Sequence, residues 1–297
     1  MPVNYDSKDL RSIVTYAQEL KGKTLRQFCD GSISYSGKGS FGQLLERVYF
    51  GYAPNNVSEP DFGEVGLELK ASPLKRLKNK KWVSKERLVL SIIDYLRIVQ
   101  EDFHSSSFYK KNERLLLVFY LHSDELDPID LIIELVDKWE YPPEDLAIIR
   151  KDWELIKMKV EKGLAHELSE GDTLYLGACT KGSTAESSMR EQPFSKKKAK
   201  QRAFSLKQGY VNHIIATISG NDDRYGRILP SSLGEVELNF EEEVVSRFDR
   251  FIGLSIDDIQ LELGVDLNKD AKSFNADLTK AILGIEFEKE ILEFEKA

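Results

Sequence analysis

The 297-residue chain is poor in the residues that define several protein classes. It has two cysteines, Cys29 and Cys179, far apart in sequence. That excludes a disulfide framework and a four-thiolate zinc site. Its four histidines, His104, His122, His166 and His213, show no metal-ligand spacing to one another and read as ordinary surface or core residues. No apolar run is long enough to span a bilayer. The N-terminal Met-Pro-Val-Asn-Tyr-Asp lacks the basic-then-apolar order of a secretory signal. A cytoplasmic protein is the simplest expectation. Hydrophobic content of 41% beside 31% charged residues fits a globular chain rather than a disordered one.

The chain also lacks net positive charge, at −8 overall, which by itself argues against a polyanionic partner. The distribution argues otherwise. Residues 75–87 carry seven bases and one acid, and residues 190–210 again carry seven and one. Residues 235–297 hold 17 acids against seven bases. Contact with a phosphate backbone depends on local basic patches rather than on the total. A solvated lysine-rich face is the plainer meaning of such runs. The composition shift near Gly220 divides the chain into residues 1–220 and an acidic, mainly helical segment, 221–297.

A phosphate-binding loop is not present either. Gly31…Gly37-Lys38-Gly39 has five residues between Gly31 and Gly37 and no Ser or Thr after the lysine, whereas that loop needs four and one.

What the chain does have is a dense stretch of charge at Pro60–Lys70, reading Pro-Asp-Phe-Gly-Glu-Val-Gly-Leu-Glu-Leu-Lys. Residues 66–71 alternate in polarity, as a strand does. Residues two apart on a strand share a face, so Glu68 and Lys70 point together while Leu67 and Leu69 pack behind them. A turn at Gly63–Glu64 can bring Asp61 beside Glu68. Two carboxylates and an amine suit metal-assisted phosphodiester hydrolysis. Mg²⁺ takes a few carboxylate oxygens and keeps several waters, and an adjacent lysine can orient the attacking water or stabilise developing charge. An acid after proline, then acid-any-lysine, is the pattern of the restriction-endonuclease-like superfamily. A solvated, charged strand face would show the same spacing, so the pattern alone leaves both readings open.

The remaining periodicities sketch the fold. Residues 9–20 and 40–50 read as helices, the second with Ser40 and Gln43 placed as a capping box. Glu46 in that helix lies at the edge of the stripe formed by Leu44, Leu45 and Val48, either reaching water or held near the site. The apolar runs 87–95 and 114–121 read as strands covered on both faces. Residues 131–136 are ambiguous between strand and helix. Tyr141-Pro142-Pro143-Glu144 breaks the chain, and a long helix follows to about Gly163. Residues 172–178 alternate as a strand, 178–182 form a polar loop, and 204–218 read as a helix with a basic entrance. Short acidic helices are expected at 241–251, 255–263 and 277–283.

Gly39-Ser40-Phe41-Gly42-Gln43-Leu44-Leu45-Glu46, followed by Pro60-Asp61 and Gly66-Leu67-Glu68-Leu69-Lys70-Ala71, resembles MutH, the mismatch-repair nicking endonuclease. These segments resemble still more the GATC-cutting type II restriction enzymes related to MutH. Lys85–Leu90, Ala165–Gly171, Cys179–Gly182 and Lys198–Lys207 are similar to those restriction enzymes in particular. The resemblance extends from near the start to past residue 215, in several motifs in order. It implies an α/β fold, a mixed sheet flanked by helices, shaped as a two-armed clamp on DNA. Asp61, Glu68 and Lys70 match the family's catalytic residues, with Asp61 and Glu68 as Mg²⁺ ligands. Glu46 matches a further active-site acid, and Lys111 a further functional lysine. Lys38 and Gly39 match a DNA-contacting loop, and Cys179, Thr180, Lys181 and Gly182 match a base-reading loop. MutH's principal base-reading arginine falls at Cys179. Lys181 is therefore the preferred reader here, because lysine can donate to guanine acceptors. Arg202, Ser205 and Lys207 are expected to support DNA, at phosphates. The full-length restriction relatives carry a second MutH-like domain, so the resemblance implies an N-terminal catalytic half followed by a linker. Three functions follow as expectations: a Mg²⁺-dependent restriction endonuclease cutting GATC, a mismatch-repair nickase, or a non-catalytic DNA-binding module.

Overall fold

The structure is a computed structural model and describes residues 4–29, 41–53, 59–76, 82–182, 188–220, 248, 251, 255–263 and 267–283. By its internal contacts the chain divides into two units, 1–221 and 222–297.

The first unit is mixed α/β. Strands β1 (Glu68–Arg76), β2 (Trp82–Ser84), β4 (Arg114–Leu121) and β5 (Ile133–Glu140) form a sheet ordered β2-β1-β4-β5. Only β1 and β4 run parallel; the other two pairs are antiparallel. β4 is the buried centre, with Leu115–Phe119 almost wholly inaccessible, as its near-continuous apolar run requires. Leu116 and Val118 pack with Leu67 and Leu69 of the incoming β1 segment against helix α1 (Leu10–Gln18), which contributes Ile13 and Ala17. Asp9 caps α1 by accepting the Arg11 N–H at 2.9 Å, the usual service of an aspartate there.

Residues 41–50 also pack on this face. Helix α2 (Phe41–Leu44) passes into a π-helical turn, Leu45–Tyr49, rather than continuing as one regular helix. The wider turn brings Leu44, Leu45, Tyr49 and Phe50 into the core and leaves Glu46 half-buried. π-turns of this kind are frequent at functional sites. Ser40, expected as the cap, lies outside the described residues.

A second, antiparallel sheet has the order β3-β9-β6, with β3 (Leu88–Ile92), β9 (Arg202–Leu206) and β6 (Leu176–Thr180). It corrects three expectations. The 87–95 run is not covered on both faces: Leu88 and Leu90 are buried, Val89 and Ser91 only partly so, and past a register shift between Val89 and Ser91 the strand exposes Ile92. Residues 204–206 are strand, and helix α6 (Gln208–Ile218) begins only after Lys207. Residues 178–180 are the end of β6, not loop, so only Lys181 and Gly182 lie beyond the strand. The ambiguous 131–136 run is resolved as β5. A third element, the hairpin of β7 (Met189–Gln192) and β8 (Ser195–Lys200), is built from most of the second basic run.

Helix α5 (Pro143–Glu161) ties the second sheet down. Its buried Asp152 accepts the N–H groups of Leu174 at 2.9 Å, Tyr175 at 2.7 Å and Leu176 at 2.8 Å. Tyr175 in turn stacks on Tyr210 of α6 at 4.5 Å. No helix among the described residues is long and apolar enough to cross a membrane. In the second unit the described helices are Ile256–Leu263 and Phe274–Leu283, and most of the expected 241–251 helix lies outside the described residues.

Asp152→Ala leaves three buried N–H groups without their acceptor. It is expected to cost about 3 kcal/mol, at about 1 kcal/mol per orphaned donor. Urea unfolding of the two proteins measures it, and a loss under about 1 kcal/mol would mean that these N–H groups find other partners.

Candidate active site

The site begins with a turn. Phe62 and Leu67 exchange backbone hydrogen bonds, Phe62 N to Leu67 O at 2.9 Å and Leu67 N to Phe62 O at 3.2 Å. Between them, Gly63–Val65 makes one 3₁₀ turn. Gly66, at φ +62°, closes it in the left-handed region that glycine enters at least cost.

The turn puts Asp61 opposite Glu68, and the two carboxylates fasten it reciprocally. Asp61 Oδ2 accepts the Leu69 N–H at 3.0 Å, and Glu68 Oε2 accepts the Asp61 N–H at 3.1 Å. Arg114 at the start of β4 braces the same turn, donating to Val65 O at 2.8 Å while pairing with Glu140 at 2.7 Å.

β1 then aims its alternate residues as the sequence pattern requires. Leu67 and Leu69 enter the core, and Lys70 Nζ lies 2.6 Å from Glu68 Oε1. Lys111, from helix α4 (Ser107–Asn112), approaches the same Glu68 oxygen to 3.6 Å and donates to Glu59 O at 3.1 Å. Parallel pairing sets Glu68 against Leu115 and Lys70 against Leu117. β1 and the approach to β4 therefore deliver all four groups to one sheet end.

The electrostatics are those of crowded acids. Glu68 is only 2% exposed. Burial pushes its carboxyl up; Lys70 pulls it down, and the Asp61 charge pushes it up again. Glu46 is pushed up to about 6, first by burial and then by the charges of Asp61 and Glu68. The π-turn thus places a third acid within electrostatic reach of the first two. Among the described residues no three His, Cys, Asp or Glu side chains form a ready-made metal cage. Two converging carboxylates with surplus negative charge nevertheless fit a hard cation that keeps most of its waters.

One residue here had no sequence signal. Tyr52 donates its backbone N–H to Glu46 O at 3.1 Å and packs edge-on against Phe62 at 5.8 Å. Its buried hydroxyl has no hydrogen-bond partner among the described residues. Burial and then the charges of Asp61, Glu46 and Glu68 push the phenol above its ordinary range. Only the turn after the π-helix brings it there.

The residues expected to touch DNA are placed less uniformly. Lys38 and Gly39 lie outside the described residues. Thr180, Lys181 and Gly182 are exposed at the end of β6, but Cys179 is buried. Ser205 is fully buried in β9, so a phosphate cannot reach its hydroxyl in this conformation. Arg202 donates to Ala178 O at 2.7 Å, and Lys207 donates to Thr173 O. These two cations hold the second sheet together in the structure. They were singled out for their charge, and strand pairing decided where that charge goes.

Comparison with known proteins finds relatives along most of the chain. Residues 50–152, which include Asp61, Glu68, Lys70 and Lys111, match the family model described as DNA mismatch repair enzyme MutH. The chain is a MutH-like sequence. It is 39% identical to the type II restriction enzyme Sau3AI of Staphylococcus aureus over 95% of its own length and 58% of that enzyme's. It is 25% identical to the DNA mismatch repair protein MutH of Shewanella woodyi over 74% of its length and 96% of that protein's. Identity to MutH of Shewanella amazonensis is 27% over 60% of this chain and 78% of that one. The chain thus spans little more than half the length of the restriction enzyme it matches.

Gly66→Ala tests the turn. Nothing stands within 4 Å of an added Cβ, so the φ of +62° alone sets the penalty. The substitution is expected to cost about 1–2 kcal/mol. Thermal melting checks it: an unchanged melting temperature would show that the turn tolerates a side chain in the left-handed region.

Proposed function

We propose that the chain is a Mg²⁺-dependent site-specific deoxyribonuclease that hydrolyses phosphodiester bonds at GATC, working as a type II restriction enzyme in the cytoplasm. The observation that carries this reading is the fastening of Asp61 and Glu68 to each other's backbone with two lysines on the same Glu68 oxygen. A solvated strand face would not bury its glutamate. The 39% identity to a restriction enzyme over 95% of this chain supports the reading. The partners it assigns are duplex DNA carrying GATC and a further MutH-like domain.

In this reading Asp61 and Glu68 hold the ion. When bound, Mg²⁺ supplies charge neutralisation at the phosphate and a water of lowered pKa. Lys70 is held by Glu68 at the edge of the acids, where its ammonium can donate to the attacking water or to a non-bridging phosphoryl oxygen. Lys111, fixed by Glu59 O, adds a second positive charge on the same side. Glu46, with its carboxyl already pushed up to about 6, is placed to exchange a proton near neutral pH. Thr180, Lys181 and Gly182 present the exposed end of β6 to bases, with Lys181 as the donor to guanine.

The MutH matches favour a second reading, a nickase that cuts one unmethylated strand of a hemimethylated site. Cutting of fully unmethylated duplex on both strands separates the restriction reading from it. A DNA-binding module without catalysis would give no Mg²⁺-dependent ends at all.

Asp61→Ala and Lys70→Ala are each expected to slow cleavage of GATC-bearing DNA at least about a hundredfold, while binding in Ca²⁺ persists. Mapped ends and single-turnover rates check this, and wild-type rates in either variant would refute the assignment.

The acids also predict a pH-dependent response to metal. In the metal-free protein Glu46 holds its proton up to about 6, above the ordinary value near 4.5. Its contribution to stability is therefore fully present below about 4.5 and is lost as pH rises through about 6. A cation relieves that repulsion only where the acids are ionised. Mg²⁺ is expected to raise the melting temperature more at pH 7.5 than at pH 5. Equal shifts at both pH values would argue against a cation among these three acids.

A further inference from the structure

The β7–β8 hairpin carries a feature that neither the acids nor the turn explains. Its tip is Gln192-Pro193-Phe194-Ser195, and Phe194 is the one described non-glycine residue with positive φ, at +60°. Proline followed by a left-handed residue is the order of a type II turn, where glycine or asparagine is the inexpensive choice. Here the position holds an aromatic ring that is 77% exposed. Both the backbone and the ring are therefore in unfavourable settings.

The surroundings hold this conformation in place. Gly163, at the end of α5, has no side chain, and a Cβ there would lie 2.8 Å from the Phe194 carbonyl oxygen. Buried Gln192 accepts the Ala165 N–H at 2.8 Å and meets His166 at 3.1 Å. The turn is thus fastened on its inner side while the ring points outward. Strain kept in place by packing is a mark of functional positions.

Charge flanks the ring. The hairpin carries Arg190, Lys196, Lys197, Lys198 and Lys200 against Glu191 alone. On β8, alternation puts Lys196, Lys198 and Lys200 on the face opposite buried Ala199. Only Lys198 of these three has a described acidic partner, Glu191 at 2.9 Å and well exposed, a pairing worth little in water. Alternate strand residues are about 6.8 Å apart, which is about two phosphates' axial rise along one strand of duplex DNA. The hairpin's base is also continuous with the exposed end of β6. Lys181 N–H donates to Gln201 O at 2.8 Å, and Gly182 lies against Ser188.

We propose that this hairpin is a DNA-gripping wing, with Lys196, Lys198 and Lys200 on alternate phosphates of one strand and the Phe194 ring pressed into the adjoining groove. The proposal rests on the nuclease reading for its ligand but not on the acids or the metal. Duplex DNA is favoured over an acidic protein surface by the regular lysine spacing and by continuity with the Lys181 loop.

The test compares wild type, Phe194→Gly and the triple variant Lys196→Gln/Lys198→Gln/Lys200→Gln for binding a GATC duplex in Ca²⁺ across a salt series, with melting temperatures alongside. Phe194→Gly is expected to melt at or above the wild-type temperature, because glycine relieves the φ. It is nevertheless expected to bind about tenfold more weakly, the scale of one lost ring–base contact. The triple variant is expected to reduce the slope of log K against log salt by about two to three. Unchanged binding in both variants, with cleavage intact, overturns the wing and leaves the nuclease reading standing. Loss of melting temperature in Phe194→Gly with unchanged affinity overturns it in favour of a purely structural residue. Failure of the wild type to bind the duplex overturns both.

Discussion

Two carboxylates, each holding a backbone N–H from the other's side of one turn, set the geometry on which the rest of the site depends. Asp61 reaches across to Leu69, and Glu68 reaches back to Asp61. Each acid therefore spends one oxygen on structure. Glu68 spends the other on Lys70. Held this way, the acids cannot turn away from each other although their charges repel. The turn carries its charge because backbone donors and lysines compensate it locally, which a buried carboxylate requires.

The core exists to hold that turn at a sheet end. Leu67 and Leu69 fix β1 against α1 and β4, so the polar alternates can point only one way. The π-turn at Leu45–Tyr49 adds Glu46 and Tyr52 to the same neighbourhood from the other direction. Acids in excess of cations leave a region that a divalent ion would relieve, and the Glu46 carboxyl is raised first by its burial and then by that excess. The second sheet solves a different problem. It uses Asp152, Arg202 and Lys207 to fix its own edges, and frees Lys181 and the β7–β8 hairpin to face outward.

The active-site grouping was legible because its signals are local. Strand alternation at 66–71 put Glu68 and Lys70 together, and Gly63–Glu64 marked the turn that returns Asp61. The long α5 and the buried β4 were legible for the same reason, since their patterns persist over many residues. The second half was less so. Lysine-rich β8 and the β9 strand were read as the entrance to a helix, because a run of charge hides period-two alternation. Cys179 and Ser205 were read as contacts from their place in motifs, yet both are buried in strands. Phe194 gave no signal at all, since its φ follows from a turn packed against Gly163.

The sequence by itself determined the chemistry on offer: which acids and amines stand near each other along the chain, and which face of β1 they share. Those are nearest-neighbour properties, set by backbone geometry over a few residues. Only the tertiary structure decided which distant groups join them. Lys111, Glu46, Tyr52 and Arg114 reach the turn through β4 pairing and the π-turn, and Phe194 is turned outward by a helix end about 30 residues earlier. Contacts of that range depend on how separate elements pack, which no local pattern encodes.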